Sequence, residues 1–347
     1  MPISAVDSIT PAIEHTKQQL FRPFRIGQWT RLAFVGLLAG ELGANGCNRS
    51  NFNLHGHPGG PHFPGPLSID PALIAGFITA AVVAGLAIGL ILMYISSVMR
   101  FILFDSVVAR ECHIRWEWSR RLGPGWLYFV WRLLVGVLTL GTIAVVVGIP
   151  AAFAFFAGWF HAPKEHLPAL ILGGGILLLF LFVLAVGLAV VLVLTKDFVI
   201  PQMALENIDA MEGWRRLWRM MQPEKGAYAA YVIMKIVLAI VTGILMAIAT
   251  VILGVIIAIP SIGLALLAVL TGKNAGLTWN VETITLAIVV GCILLAVFLY
   301  LVALIYVPAI VFFPAYSIYF FAARYPRLSA LLYAAPAAPP GTAPATV

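Results

Sequence analysis

Residues 169–195 read ALILGGGILLLFLFVLAVGLAVVLVLT, and residues 197–221 follow as DFVIPQMALENIDAMEGWRRLWRMM. The first stretch carries no charge and exceeds the roughly 20 apolar residues that a bilayer-crossing helix needs. The second is rich in charge and tryptophan. An uncharged run that stops abruptly at such a segment predicts a helix leaving hydrocarbon at a membrane surface.

The rest of the chain repeats the pattern. Of its 347 residues 62% are hydrophobic and only 10% charged, with mean hydropathy +1.01. Soluble domains carry roughly 25% charged residues, so this composition excludes an ordinary water-facing surface. Apolar runs place six transmembrane helices near 27–45, 71–99, 126–149, 169–195, 227–259 and 283–313. After Pro150 and Pro260 the apolar sequence continues, as a bent continuation, a short interfacial helix or a re-entrant segment. The fold class is therefore all-α and polytopic: three helical hairpins with amphipathic elbow helices on one side. Residues 1–333 form a single transmembrane domain, and 334–347, AAPAAPPGTAPATV, read as a disordered Ala/Pro tail. The N-terminus is polar and lacks the apolar core of a cleavable secretory signal.

Basic residues orient the helices. Of the 21 Lys and Arg, all but Arg49, Lys164 and Lys273 fall in the N-terminus, the C-terminus and the segments after helices two and four. The positive-inside rule then puts both termini in the cytoplasm. This bias accounts for most of the net charge of +7, so nucleic acid is not expected as a partner. Cys47 is expected outside, Cys112 inside and Cys292 within helix six, without a disulfide.

In the segment 197–221, Leu205, Ile208, Met211, Trp214, Trp218 and Met221 recur at helical spacing as one apolar stripe. Acids precede bases along it, which suits a helix dipole. It is expected to lie in the headgroup plane, with Trp214 and Trp218 on lipid or on the helix bundle and Arg215, Arg216 and Arg219 on phosphates. Residues 100–122 hold the equivalent place after helix two, with Ile114, Trp118 and Leu122 as the stripe and Arg120 and Arg121 beside it. Arg31, Arg132 and Lys235 stand about a hundred residues apart, just inside the odd-numbered helices. They suggest weak repeats over about 10–110, 111–210 and 211–325, and a possible cytoplasmic vestibule for an anion. The competing expectation is that each cation snorkels to a separate headgroup. Glu41 is expected near the outer headgroups.

Pro201, Glu206 and Trp214-Arg215-Arg216-Leu217, set between two long helices, resemble uncharacterised bacterial inner-membrane proteins. They are also similar to the membrane domain fused to some glycerophosphoryl diester phosphodiesterases. The opening HTKQQLFRPFRIGQWTRLAFVGLLAG (15–40) looks like the start of an uncharacterised bacterial family of this layout. The resemblance implies an inner-membrane location and architecture; no phosphodiesterase domain accompanies it, so it implies no hydrolase activity.

Chemistry-bearing motifs are few. Cys47, His55, His57 and His62 lie in the outer loop 47–65 and have the ligand types for Zn or Cu, although polar loops carry histidine without metal. No Ser/His/Asp set and no intramembrane carboxylate pair is present. No cofactor is expected. The expected function is that of a non-enzymatic component that organises membrane lipids, a membrane-protein partner or further copies of itself. The alternative is a transporter or channel for a small or lipidic anion. Such proteins normally place ionisable groups at mid-membrane depth, and these helices place almost none there.

Overall fold

Where every side chain is apolar, a helix alone satisfies the backbone within its own segment, and long uninterrupted runs become long helices. The computed structural model describes residues 4–41, 71–159, 166–274 and 281–333. In chain order these form α1 (Ile9–Phe21), α2 (Ile26–Leu38), α3 (Pro71–Ala109), α4 (Ile114–Phe156) and α5 (Leu167–Leu194). A π-helical turn (Thr195–Val199) leads into α6 (Ile200–Glu206) and α7 (Ala210–Met221). Then come α8 (Lys225–Asn274), α9 (Val281–Ala322) and α10 (Pro326–Leu332). Among the described residues there is no strand, and five helical stretches, within α3, α4, α5–α6, α8 and α9, are long and apolar enough to cross a membrane.

The expected first transmembrane helix, 27–45, takes a different form. Its described part, α2, has 13 residues and stops before Gly40, whose φ is +81°. At about 20 Å, such a helix is too short to cross about 30 Å of hydrocarbon. Instead Leu32, Ala33 and Val35 face a protein core. The two prolines are continuations: α4 runs through Pro150 and α8 through Pro260. Nor do residues 100–122 make a separate elbow. They are the end of α3 and the start of α4, joined by a turn at Arg110, which has φ +59°.

The core gathers where the helix ends meet. Phe101, Tyr128, Phe198, Tyr231, Tyr316 and Phe320 are fully or almost fully buried, and Tyr231 stacks on Tyr316 with ring centroids 5.1 Å apart. Away from that core the helices are bare: every residue from 75 to 92 is exposed. Thr79, Thr139, Thr142, Thr250 and Ser261 each donate to the carbonyl four residues back. Their hydroxyls are thus satisfied within their own helices, as an apolar surround requires.

α3 and α4 pack antiparallel, and Gly125 sets how closely. A Cβ there would stand 2.6 Å from Val98 Cγ2 and 3.2 Å from Val98 Cα. The backbone contact leaves no room to yield. Gly125→Val should therefore destabilise by about 1–3 kcal/mol, as overpacking does. A lowered thermal midpoint in detergent is the expected reading, and an unchanged one would mean that the two helices separate freely.

α7 buries a face one step from the expected stripe. Ala210, Gly213 and Leu217 point inward, and a Cβ on Gly213 would lie 2.7 Å from Val199 Cγ1. Trp214 is half-buried and donates from Nε1 to Thr195 Oγ1 at 3.0 Å. Met211 and Trp218 are exposed, at 69% and 54%. The small residues face inward because α7 lies directly against the π turn, where an indole has no room.

α1 docks through His15, which is buried against α3 and α9. Its Nε2 lies 2.9 Å from the Val107 carbonyl, which can only accept, so the ring proton sits on Nε2. Tyr319 OH, 3.2 Å from Nδ1, then donates to it. Burial holds His15 below the ordinary imidazole range, and Arg110 acts in the same direction, opposed by the bond to Val107. A histidine kept neutral by folding contributes stability above the unfolded value of about 6.5 and loses it as pH falls through that value. Thermal midpoints should fall between neutral pH and pH 5, and His15→Gln should flatten that slope. An equal slope in the variant would place the titration elsewhere.

Candidate functional site

Three apolar helical stretches border a cation: those of α4 and α8 begin after Arg132 and Lys235, and α5 ends just before Lys196. Pro201 cannot donate to the ladder, and just before it the helix widens into the π turn, in which Ile200 N–H donates to the carbonyl of Thr195. That turn directs Lys196 and Asp197 into the protein. Lys196 Nζ pairs with Glu41 Oε2, and Lys235 Nζ pairs with Asp197 Oδ2. Tyr231 OH donates to the same Asp197 oxygen at 3.0 Å. Glu41 is 7% exposed and Asp197 2%. Glu41 therefore does not reach outer headgroups; it closes a contact with a residue that follows α5.

Two arginines complete the cluster. Arg100 donates from Nε to the Ala39 carbonyl at 3.1 Å and from Nη1 to Tyr128 OH at 2.9 Å. Arg132 Nη1 reaches Ser96 Oγ at 3.3 Å, and that hydroxyl lies 3.4 Å from the same Ala39 carbonyl. A cavity of about 30 Å³ lies among Glu41, Arg100, Lys196, Asp197 and Ser317. Glu41 Oε1 is buried and, among the described residues, without a hydrogen-bond partner.

Of the expected vestibule cations, Arg132 and Lys235 belong to this network and Arg31 stands apart. The Arg31 side chain is exposed, with Nη1 3.3 Å from the Cys112 carbonyl. Glu41, Arg100, Lys196 and Asp197 were missing from the sequence-based set. A signal for three of them was present: Arg100 and the Lys196-Asp197 pair stand at ends of apolar runs.

The expected interface residues divide into two groups. Arg120 is exposed, its guanidinium 5.5 Å from the Trp116 ring centre, and Arg219 is also exposed. Arg215, likewise exposed, pairs with Glu212 at 3.0 Å. Trp118 is half-buried against the core. Arg121 is buried, contrary to its expected place at headgroups, because Asp105 lies opposite it on α3. Nη2 donates to Asp105 Oδ1 at 2.7 Å, Nε to Oδ2, and Nη1 to the Ala204 carbonyl at 2.7 Å, which joins α3, α4 and α6. Arg216 is likewise engaged, at 2.6 Å from Glu206 and 3.0 Å from Glu212. Glu206 also accepts from Tyr325 OH, which brings the start of α10 to α6 and α7.

Cys47, His55, His57 and His62 lie outside the described residues, as do residues 334–347. Among the described residues no three His, Cys, Asp or Glu side chains come together as metal ligands.

These features define an all-helical protein with several helices of membrane-crossing length and composition, joined at their ends by buried ion pairs. The chain belongs to the family of unknown function DUF7544, whose profile matches residues 3–331. Neither the curated proteins nor the solved structures compared with it give a match.

Proposed function

We propose that this is a multi-pass inner-membrane protein with both termini in the cytoplasm and no catalytic activity, which holds lipids or a membrane-protein partner at its helix roots. The observation that carries the reading is the separation of charge from apolar length. Residues 75–95, 133–156, 167–194, 236–271 and 283–313 contain no Asp, Glu, Lys, Arg or His. Charge is concentrated instead at the helix ends, in contacts that bind those ends together. A path for a hydrophilic solute needs polar groups along its length, and Thr79, Thr139, Thr142, Thr250 and Ser261 there spend their hydroxyls on their own helices. This favours an organiser over an anion transporter.

Purification in mild detergent, with analysis of what copurifies, tests the reading. Specific lipids or a stoichiometric membrane protein are expected, and liposomes bearing the pure protein should show no anion flux. Flux above that of empty liposomes would favour the transporter. Orientation is read separately with an impermeant maleimide. Cys112 is buried and reports nothing, so an exposed cytoplasmic marker such as Ser119→Cys is needed. It should react only after permeabilisation, whereas Cys47 should react in intact spheroplasts.

A further inference from the structure

Arg100 and Arg132 differ from the other cations that are wholly or partly buried. Lys196, Lys235 and Arg121 each meet a carboxylate, but among the described residues no carboxylate oxygen comes within 4.0 Å of Arg100 or Arg132. Both guanidiniums instead converge on the Ala39 carbonyl, Arg100 directly and Arg132 through Ser96. Guanidinium donors in direct contact with no carboxylate are suited to phosphate, whose oxygens match their fork.

The surroundings specify the source of that phosphate. Beyond Arg132, residues 133–156 form about 36 Å of uncharged helix, against about 30 Å of hydrocarbon. Tyr94, Trp126 and Phe129 cluster beside it, with ring centroids 5.3–5.9 Å apart. Aromatic side chains of this kind mark the level of headgroups. Arg100 and Glu41 also both line the cavity of about 30 Å³, and Glu41 Oε1 lacks a donor among the described residues. That volume suits a hydroxyl-sized group. Four cations (Arg100, Arg132, Lys196, Lys235) face two carboxylates (Glu41, Asp197), so the network as a whole attracts an anion.

We propose that Arg100 and Arg132 bind the phosphodiester of an anionic glycerophospholipid, whose headgroup hydroxyl donates to Glu41 Oε1. This rests on the lipid-holding reading above and names its lipid class: phosphatidylglycerol, in preference to phosphatidylcholine, which is neutral overall and has no headgroup donor.

The test is native mass spectrometry of the full chain released from nanodiscs of equal phosphatidylglycerol and phosphatidylcholine. Wild type should retain phosphatidylglycerol about tenfold over phosphatidylcholine, the discrimination expected of charge-assisted bonds. Arg132→Gln, which among the described residues gives up only the hydrogen bond to Ser96, should lose most of that preference while keeping its thermal midpoint. Arg132→Lys should restore part of it. Equal retention of the two lipids, or undiminished preference in Arg132→Gln at an unchanged midpoint, overturns the site and leaves the broader lipid-holding reading standing. Retention of no lipid overturns both. Displacement of bound lipid by excess inorganic phosphate would assign the arginines to a soluble anion and overturn the lipid source.

Discussion

Asp197→Ala should leave little folded protein. The carboxylate is almost fully buried, pairs with Lys235 and accepts from Tyr231 OH at 3.0 Å. Its removal strands an ammonium and a hydroxyl in the core. Breaking a buried pair from one side costs about 3–5 kcal/mol, a large share of a typical total stability of about 5–15 kcal/mol. Fluorescence-detected size exclusion of a tagged chain should show a collapsed monodisperse peak. The double replacement Asp197→Leu with Lys235→Met removes both charges and should recover much of the peak, because apolar pairs of similar volume tolerate such sites. A wild-type profile for Asp197→Ala alone would mean that the pair is solvated.

Arg121→Met should be nearly as severe. This side chain makes two parallel bonds to Asp105 and a third to the Ala204 carbonyl. Its loss leaves the Asp105 charge uncompensated near Glu117, itself buried with Oε2 unpartnered among the described residues. The expected loss is again about 3–5 kcal/mol. Arg121→Lys should rescue little, because a point charge on a flexible stem cannot reproduce the fork. Thermal unfolding in detergent measures both variants. A lysine variant as stable as wild type would show that charge alone matters at this position.

Which parts of this fold can be seen in the sequence follows from the range of the forces involved. The long apolar helices α3, α4, α5, α8 and α9 are written locally, since each depends only on its own run of side chains. Short-range composition also misleads. The run at 27–45 looks as apolar as the others, yet α2 ends after 13 residues, because a protein core selects the same residues as lipid does. The contacts that assemble the candidate site join distant positions: Glu41 with Lys196, Asp197 with Lys235, Ala39 with Arg100. No local pattern announces them. Arg121 beside Arg120 illustrates the limit, for two adjacent arginines differ only in what the fold places opposite each. On α7 the periodicity was legible but the inward direction was not, because it depends on Gly213 fitting against Val199.

The central claim is that charges at the helix roots are drawn together, with Glu41 beside Lys196 rather than at the opposite membrane face. Oxidative cross-linking tests it most directly. In a background of Cys47→Ser, Cys112→Ser and Cys292→Ser, Glu41→Cys and Lys196→Cys are introduced together and oxidised in native membranes. Efficient disulfide formation between the two is the expected result, detected as fragments held together after cleavage between them. Absence of the cross-link, with the cysteine at position 41 reacting with impermeant maleimide from the outer side, would contradict the account.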